Sequence, residues 1–276
     1  NTLKDFVCNY KRINWKYIID SDTGGNILDI GSGWGTLSFA FAKQSRNVFA
    51  LEPVWERVKF IQIVKEQENL TNLYPVCASA LKLPFSDNFF DVVIANGVLE
   101  WIALSDTSVP PQKVQEKMLT NIYRILKQRG SLYIAIENAL AYFYFLGKKD
   151  PHSGLRFATF MPRFLANFYS KMVKKEEYRT YIYSINGYKE LLRKAGFKKI
   201  SFYAPVPGYL NFKYIVSLDA FNVFKYWVSN VLYPQFLFSP YLLRRIIKIM
   251  ARTLEFLPLG FLRYFVPDLS IVAEKI

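Results

Sequence analysis

The chain has 276 residues, 51% of them hydrophobic and 21% charged, which excludes a disordered chain and allows one large domain or two small ones. The formal net charge is +14 and unevenly spread: residues 1–141 hold 15 Lys and Arg against 14 Asp and Glu, residues 142–200 hold 13 against 4, and residues 207–267 hold 7 against 2. A second half that is both basic and aromatic predicts an anionic surface or substrate.

Strand and helix patterns alternate through the first half. "NILDI" (26–30) is a buried strand running into glycines, and Thr36–Lys43 is the helix behind it. "NVFAL" (47–51) is a second strand, Trp55–Glu66 a helix, Leu73–Cys77 a third strand and "DVVIA" (91–95) a fourth. Gln112–Lys127 has helical spacing, with Val114, Met118, Ile122 and Leu126 on one face; Gly130 stops it, and "SLYIAI" (131–136) is a fifth strand. This alternation predicts βαβ units and a mostly parallel sheet. Residues 139–183 are aromatic and irregular. A helix returns at Gly187–Ala195, "KKISFYA" (198–204) is a sixth strand, 205–267 is irregular again, and "LSIVAEKI" closes the chain as a strand. Cys8 and Cys77 are too far apart to suggest a disulfide framework or a zinc site. They are expected to be reduced, buried thiols, and no metal-ligand set is read. No secretory signal opens the chain, and its start at Asn1 rather than Met suggests that residues precede it.

Gly31, Gly33 and Gly35 lie at the carboxyl end of the first strand, where open α/β sheets bind ligands. No lysine lies in that loop and no G-K-[ST] follows. Glu52 ends the next strand, 21 residues after Gly31, where a carboxylate can accept from both hydroxyls of a ribose. A glycine turn and a ribose acid without a pyrophosphate clamp suit a nucleoside with a small charged tail.

These residues, with "LDIGSGWG" (28–35), "LPFSDNFFDVVIANGVLEWI" (83–102) and "ILKQRGSLYIAIEN" (125–138), resemble the class I S-adenosylmethionine-dependent methyltransferases of type 11. The resemblance implies a Rossmann-like α/β fold. Its sheet would be seven-stranded and mostly parallel, with helices on both faces, an antiparallel last strand, and mostly helical insertions after strands 5 and 6. The core would comprise 1–138, 184–206 and 268–276, with a substrate-side insertion at 139–183 and a hydrophobic, basic cap at 207–267. S-adenosyl-L-methionine would lie against Asp29, Gly31, Ser32, Gly33 and Gly35. Glu52 and Pro53 would meet the ribose, Ser79, Ala80 and Leu81 the adenine, and Asn96, Gly97 and Val98 the sulfonium. Ser79 stands where family members often carry an acid.

The acceptor is read by exclusion. "ANGVLEW" lacks the N-P-P-[YF] pattern of base N-methylation, and no cysteine pair suggests covalent pyrimidine chemistry, which leaves oxygen or a small amine. His152, the sole histidine, suits a general base, with Glu137 and Glu100 as alternatives; Trp101, Lys149 and Arg156 are candidate substrate contacts. "KKDPHSG" and "FYAPVPGYLNF" also resemble methyltransferases that accompany glycosyltransferases in cell-surface glycan synthesis, which implies a sugar hydroxyl. Tyr241–Leu257 reads as an amphipathic helix with a basic face, in an aromatic stretch (223–265) expected to meet an anionic membrane surface. No run is long and uncharged enough to span a bilayer. The expectation is a cytoplasmic enzyme, peripheral at the inner membrane face, O-methylating a glycan or lipid-linked acceptor. A quinone or other small hydrophobe, or RNA, is the alternative, nucleic acid being less expected; the oligomeric state is not read.

Overall fold

The computed structural model describes residues 10–19, 25–44, 47–228 and 259–276. Five parallel strands form the first part of one sheet: Asn26–Ile30 (β1), Asn47–Glu52 (β2), Leu73–Cys77 (β3), Phe90–Asn96 (β4) and Leu126–Glu137 (β5). Lys199–Val206 (β6), Tyr214–Ser217 (β7) and Asp268–Glu274 (β8) complete it in the order β3-β2-β1-β4-β5-β8-β6-β7. β8 runs antiparallel to both β5 and β6, as expected for the last strand. The strand order reverses between β1 and β4, the switch point where such sheets open a crevice.

The sheet has eight strands rather than seven. The additional one, β7, lies within the stretch expected to be a helical insertion and pairs antiparallel with β6, so residues 207–213 form the loop of a hairpin. That loop overhangs the carboxyl edge of the sheet.

Helices cover both faces. Thr36–Ala42 (α1) and a 3-10 helix at Tyr10–Ile18 pack Phe39, Phe41, Ile13 and Trp15 against Ile27, Val92, Ile94 and Tyr133, with Trp15 stacked on Tyr133 at 3.7 Å. Trp55–Gln67 (α2) follows β2. On the opposite face, Pro111–Ile125 (α3) and Ile185–Lys194 (α6) bury Met118, Ile122, Tyr188 and Leu192 against Leu132, Ile134 and Ile136. Alternate residues of β5 thus enter opposite cores, as strand geometry requires. α3 ends at Ile125, two residues earlier than its spacing predicts, because Leu126 is already extended and pairs with Phe90.

Residues 139–183 hold Tyr142–Phe145 (α4) and Arg163–Lys174 (α5); Phe221–Trp227 (α7) follows β7. Tyr241–Leu257, the expected amphipathic helix, lies outside the described residues, as does Cys8. Cys77 is exposed at the end of β3 rather than buried. No helix among the described residues is long and apolar enough to cross a membrane.

Candidate active site

The carboxyl ends of β1, β2, β4 and β5 meet along one crevice. After β1, Gly31, Gly33 and Gly35 all have positive φ (+64°, +56° and +81°), the left-handed region that side chains resist. At Gly31 space matters as well, since a Cβ there would lie 2.6 Å from Val98 Cγ2. The loops after β1 and β4 therefore touch through that missing methyl. Glu52 is buried at the tip of β2 and accepts from the backbone N–H groups of Gly33 (3.0 Å) and Val54 (3.2 Å) and from Arg57 Nη1 (3.3 Å). A carboxylate offers about four acceptor positions, so one, on Oε2, remains for a ligand hydroxyl. Ser32 Oγ is buried with no hydrogen-bond partner, an orphan donor in the same loop. Asp29 is buried beneath it and accepts from Ser38 Oγ at 2.6 Å; burial raises it to about 6, against the lowering effect of Ser38 and Arg12.

The rest of the set expected for a nucleoside ligand lies along the same edge. Pro53 is exposed beside Glu52. Ser79 Oγ accepts from the Leu81 N–H at 3.2 Å in a tight turn after β3, with Ala80 buried. Asn96 closes β4, and Gly97 follows at φ +69° with its N–H donated to the Ala135 carbonyl at 2.8 Å. An open cradle at the glycines, a buried carboxylate at the next strand tip and an orphan hydroxyl between them fit S-adenosylmethionine.

Across Gly97 lies the second half of the site. The loop after α4 brings His152 back over the sheet edge. Its Nδ1 is 2.9 Å from Asp150 Oδ1, and its Nε2 is 3.4 Å from Glu137 Oε2 and 3.6 Å from Glu100 Oε1. Asp150 is buried and forms the turn itself, accepting the N–H groups of His152 and Ser153 (both 3.1 Å) and the Ser153 hydroxyl at 2.5 Å. Glu137 is fixed from two sides. Tyr188 Oη donates to its carbonyl (3.1 Å), and Tyr209 Oη, from the β6–β7 loop, donates to Oε1 (3.1 Å). The next residue, Asn138, ties β5 to the Tyr264 and Val266 carbonyls at 2.8 Å each. Trp101 meets the His152 ring edge-on at 5.0 Å and is itself exposed.

The electrostatics separate these groups. Burial, helped by the Glu100 carboxylate and opposed by His152, raises Glu137 to about 7. Burial lowers His152, but the carboxylates of Asp150, Glu100 and Glu137 outweigh it and raise the imidazole to about 10. Asp150 is held low despite burial by its hydrogen bonds from His152 and Ser153. At neutral pH, His152 is an imidazolium set among carboxylates, and Glu137 is the group poised to exchange a proton. Glu100, Glu137 and His152 each offer a ligand atom within 4.8 Å of the others, a grouping that could hold a metal ion.

Chain positions far apart thus bring His152, Glu137, Glu100 and Trp101 together. Lys149 and Arg156 flank the turn on an antiparallel bridge; Arg156 spends Nη1 on the Gly147 carbonyl at 2.6 Å, and both residues are exposed. Two residues of the site were not foreseen, Asp150 and Tyr209. The D-P-H-S-G string carried a signal for the first, because an aspartate two and three residues before free N–H groups commonly folds its own turn. Tyr209 had no local signal, since its role depends on β7.

Residues 28–134 match the family described as a methyltransferase domain. From β1 to β5 the chain is therefore similar to a methyltransferase domain. The chain is 29% identical over 128 residues to the mitochondrial ubiquinone biosynthesis O-methyltransferase of Mus musculus, over 45% of this chain and 32% of that one. The chain spans about a third of the length of that curated relative. Among solved structures, the chain resembles Haemonchus contortus phosphoethanolamine N-methyltransferase 2 in complex with S-adenosyl-L-methionine (16% identity, TM-score 0.53, covering 96% of this chain and 52% of that one). It also resembles the cyclase SpnF (15% identity, TM-score 0.51, covering 99% and 80%). At such identities the likeness is one of fold, and the second case shows that this fold hosts other chemistry.

Proposed function

We infer that the protein is an O-methyltransferase whose base is Glu137, acting on a hydroxyl of a glycan or lipid-linked saccharide at a membrane surface. S-adenosylmethionine supplies the methyl group on a sulfonium. The residues Asp29, Gly31, Ser32, Gly33, Gly35, Glu52, Pro53, Ser79, Ala80, Leu81, Asn96, Gly97 and Val98 would hold it, leaving the acceptor side of Gly97 to the carboxylate cluster. The observation that carries the reading is a buried carboxyl raised to about 7 at the end of β5, gripped by Tyr209 and facing His152.

An acceptor hydroxyl seated between Glu137 and Glu100 gives its proton to Glu137 as oxygen attacks. The His152 imidazolium, oriented by Asp150, holds the developing negative charge nearby. Saccharides suit this surface chemically. Carboxylates accept sugar hydroxyls, and the exposed indole of Trp101 offers a face for the apolar side of a sugar ring. A hydroquinone is the second reading, favoured by the name of the mouse relative and by the aromatic insertions.

Transfer of labelled methyl from S-adenosylmethionine to saccharides, lipid-linked saccharides and hydroquinones tests both readings. Glu137→Gln should lower turnover by about 10²–10⁴ with cofactor affinity unchanged. Transfer to hydroquinones alone would replace the first reading with the second. A Glu137→Gln enzyme of wild-type rate would remove Glu137 as the base.

A further inference from the structure

Helix α5 is built inside out. Its small residues Ala166 and Ser170 are buried, packed towards Leu155, Ala158 and Tyr178, whereas Phe164 (73% exposed), Leu165 (45%), Phe168 (64%) and Met172 (61%) face outward. At 100° per residue these four fall within one 100° arc, so they make a continuous stripe along the helix. In a helix that merely covers a core, the Phe and Leu would face inward.

The helix is held in this orientation. In its first turn, Arg163 Nη2 donates to the Ile182 carbonyl at 2.5 Å, and its guanidinium lies 4.2 Å from the Tyr181 ring centre. The Asn167 side chain accepts the Tyr178 N–H at 3.1 Å. In the last turn, Lys174 Nζ donates to the Ser153 carbonyl at 2.6 Å. The apolar stripe is therefore a fixed outer surface. Residues 139–183 carry eight Lys and Arg against three Asp and Glu, and Lys171, Lys174 and Lys175 cluster at the helix end. An apolar stripe bordered by cations is the pattern of a helix lying in an anionic lipid interface.

We propose that the outward face of α5, through Phe164, Leu165, Phe168 and Met172, is the surface by which this protein docks on an anionic bilayer. This deepens the membrane-side reading above and moves the contact from the 223–265 stretch to a helix that borders the His152 turn. The occupant is the lipid surface, because a stripe of phenylalanines enters acyl chains while Lys175, and Lys171 by exchanging its exposed pair with Glu177, meet headgroup phosphates.

The test is co-sedimentation of the full chain with vesicles of phosphatidylcholine alone and of phosphatidylcholine with phosphatidylglycerol, comparing wild type with the Phe164→Ser/Phe168→Ser double variant. Binding of S-adenosylmethionine to each protein, by calorimetry, reports the folded state separately. The proposal expects wild type to bind the anionic vesicles, more weakly as salt rises. It expects the double variant to bind at least about tenfold more weakly with cofactor affinity unchanged. Failure of wild type to bind either vesicle overturns it, as does binding that survives the double substitution. So does a wild-type dimer in sedimentation velocity that the double substitution dissociates, since the stripe would then serve a second copy. Any of these results leaves cofactor binding and methyl transfer standing, so docking and chemistry fail independently.

Discussion

Four charged side chains decide what the acceptor side of this site can do: Asp150 orients His152, His152 faces Glu137 and Glu100, and Glu137 sits near neutrality. The signs follow directly. Glu137 must be deprotonated to accept a proton, so turnover should rise with pH through about 7. His152 lowers Glu137, so His152→Ala should move that limb to higher pH; Glu100 raises it, so Glu100→Gln should move it to lower pH, each by about one unit. Rate profiles of the three proteins check this, and shifts in the same direction would contradict the geometry. On the cofactor side, Glu52→Ala removes the acceptor for the Gly33 N–H together with the carboxylate at the tip of β2. Calorimetry should register at least about tenfold weaker binding of S-adenosylmethionine. The glycines and Glu52 could be read from the chain because strand-end residues are fixed by the βα alternation. The His152–Glu137–Glu100 grouping could be read only as separate candidates, since the loops that fold them together leave no periodic trace. His152 reads as a base from its ordinary pKa, and the carboxylates that raise it, which only the structure places beside it, favour Glu137 in the reading proposed above.

Elements were legible in proportion to their regularity. β1 to β4 lie within a residue or so of where their apolar runs place them; β1, β2 and β4 are interior strands, and a strand buried on both faces must be apolar throughout. β7 was missed: four residues of "YIVS" in an aromatic stretch carry no alternation long enough to read. The end of α3 depends on a residue 149 positions away. Lys275 Nζ donates to the Tyr123 and Leu126 carbonyls at 2.8 Å each, the Asn88 side chain at 3.0 Å and the Arg124 carbonyl at 3.4 Å. A cation there closes the unsatisfied carbonyls of a helix end and favours the negative pole of its dipole. Lys275→Met should lower unfolding free energy by about 2 kcal/mol, read as a drop in denaturant midpoint with an unchanged slope. An unaltered midpoint would mean that water replaces the amine without loss.

For the whole molecule, the chain divides its labour by charge. Residues 1–141 are nearly neutral and build most of the sheet; residues 142–200 and 207–267 carry the basic excess and leave the sheet at the carboxyl ends of β5 and β6. A folded crevice that binds its cofactor should gain stability by mass action. At a hundredfold excess of S-adenosylmethionine over its dissociation constant the gain is about 2.7 kcal/mol, a rise of roughly 5–10 °C in Tm for a chain of this size. Differential scanning calorimetry with and without the cofactor measures it, and a tenfold loss of affinity in Glu52→Ala should roughly halve the rise. Fold class was legible at this scale because eight elements in alternation leave few topologies, whereas the inside-out orientation of α5 was not, because helical spacing defines a stripe without saying which way it faces.

Gly31 and Val98 fit together like tongue and groove, hydrogen against methyl, in a wall shared by the loops after β1 and β4. A partition that thin cannot be remodelled from one side alone. Any variant that shifts Val98 also disturbs the turn at Gly31, so divergence in proteins built this way must alter both positions in concert.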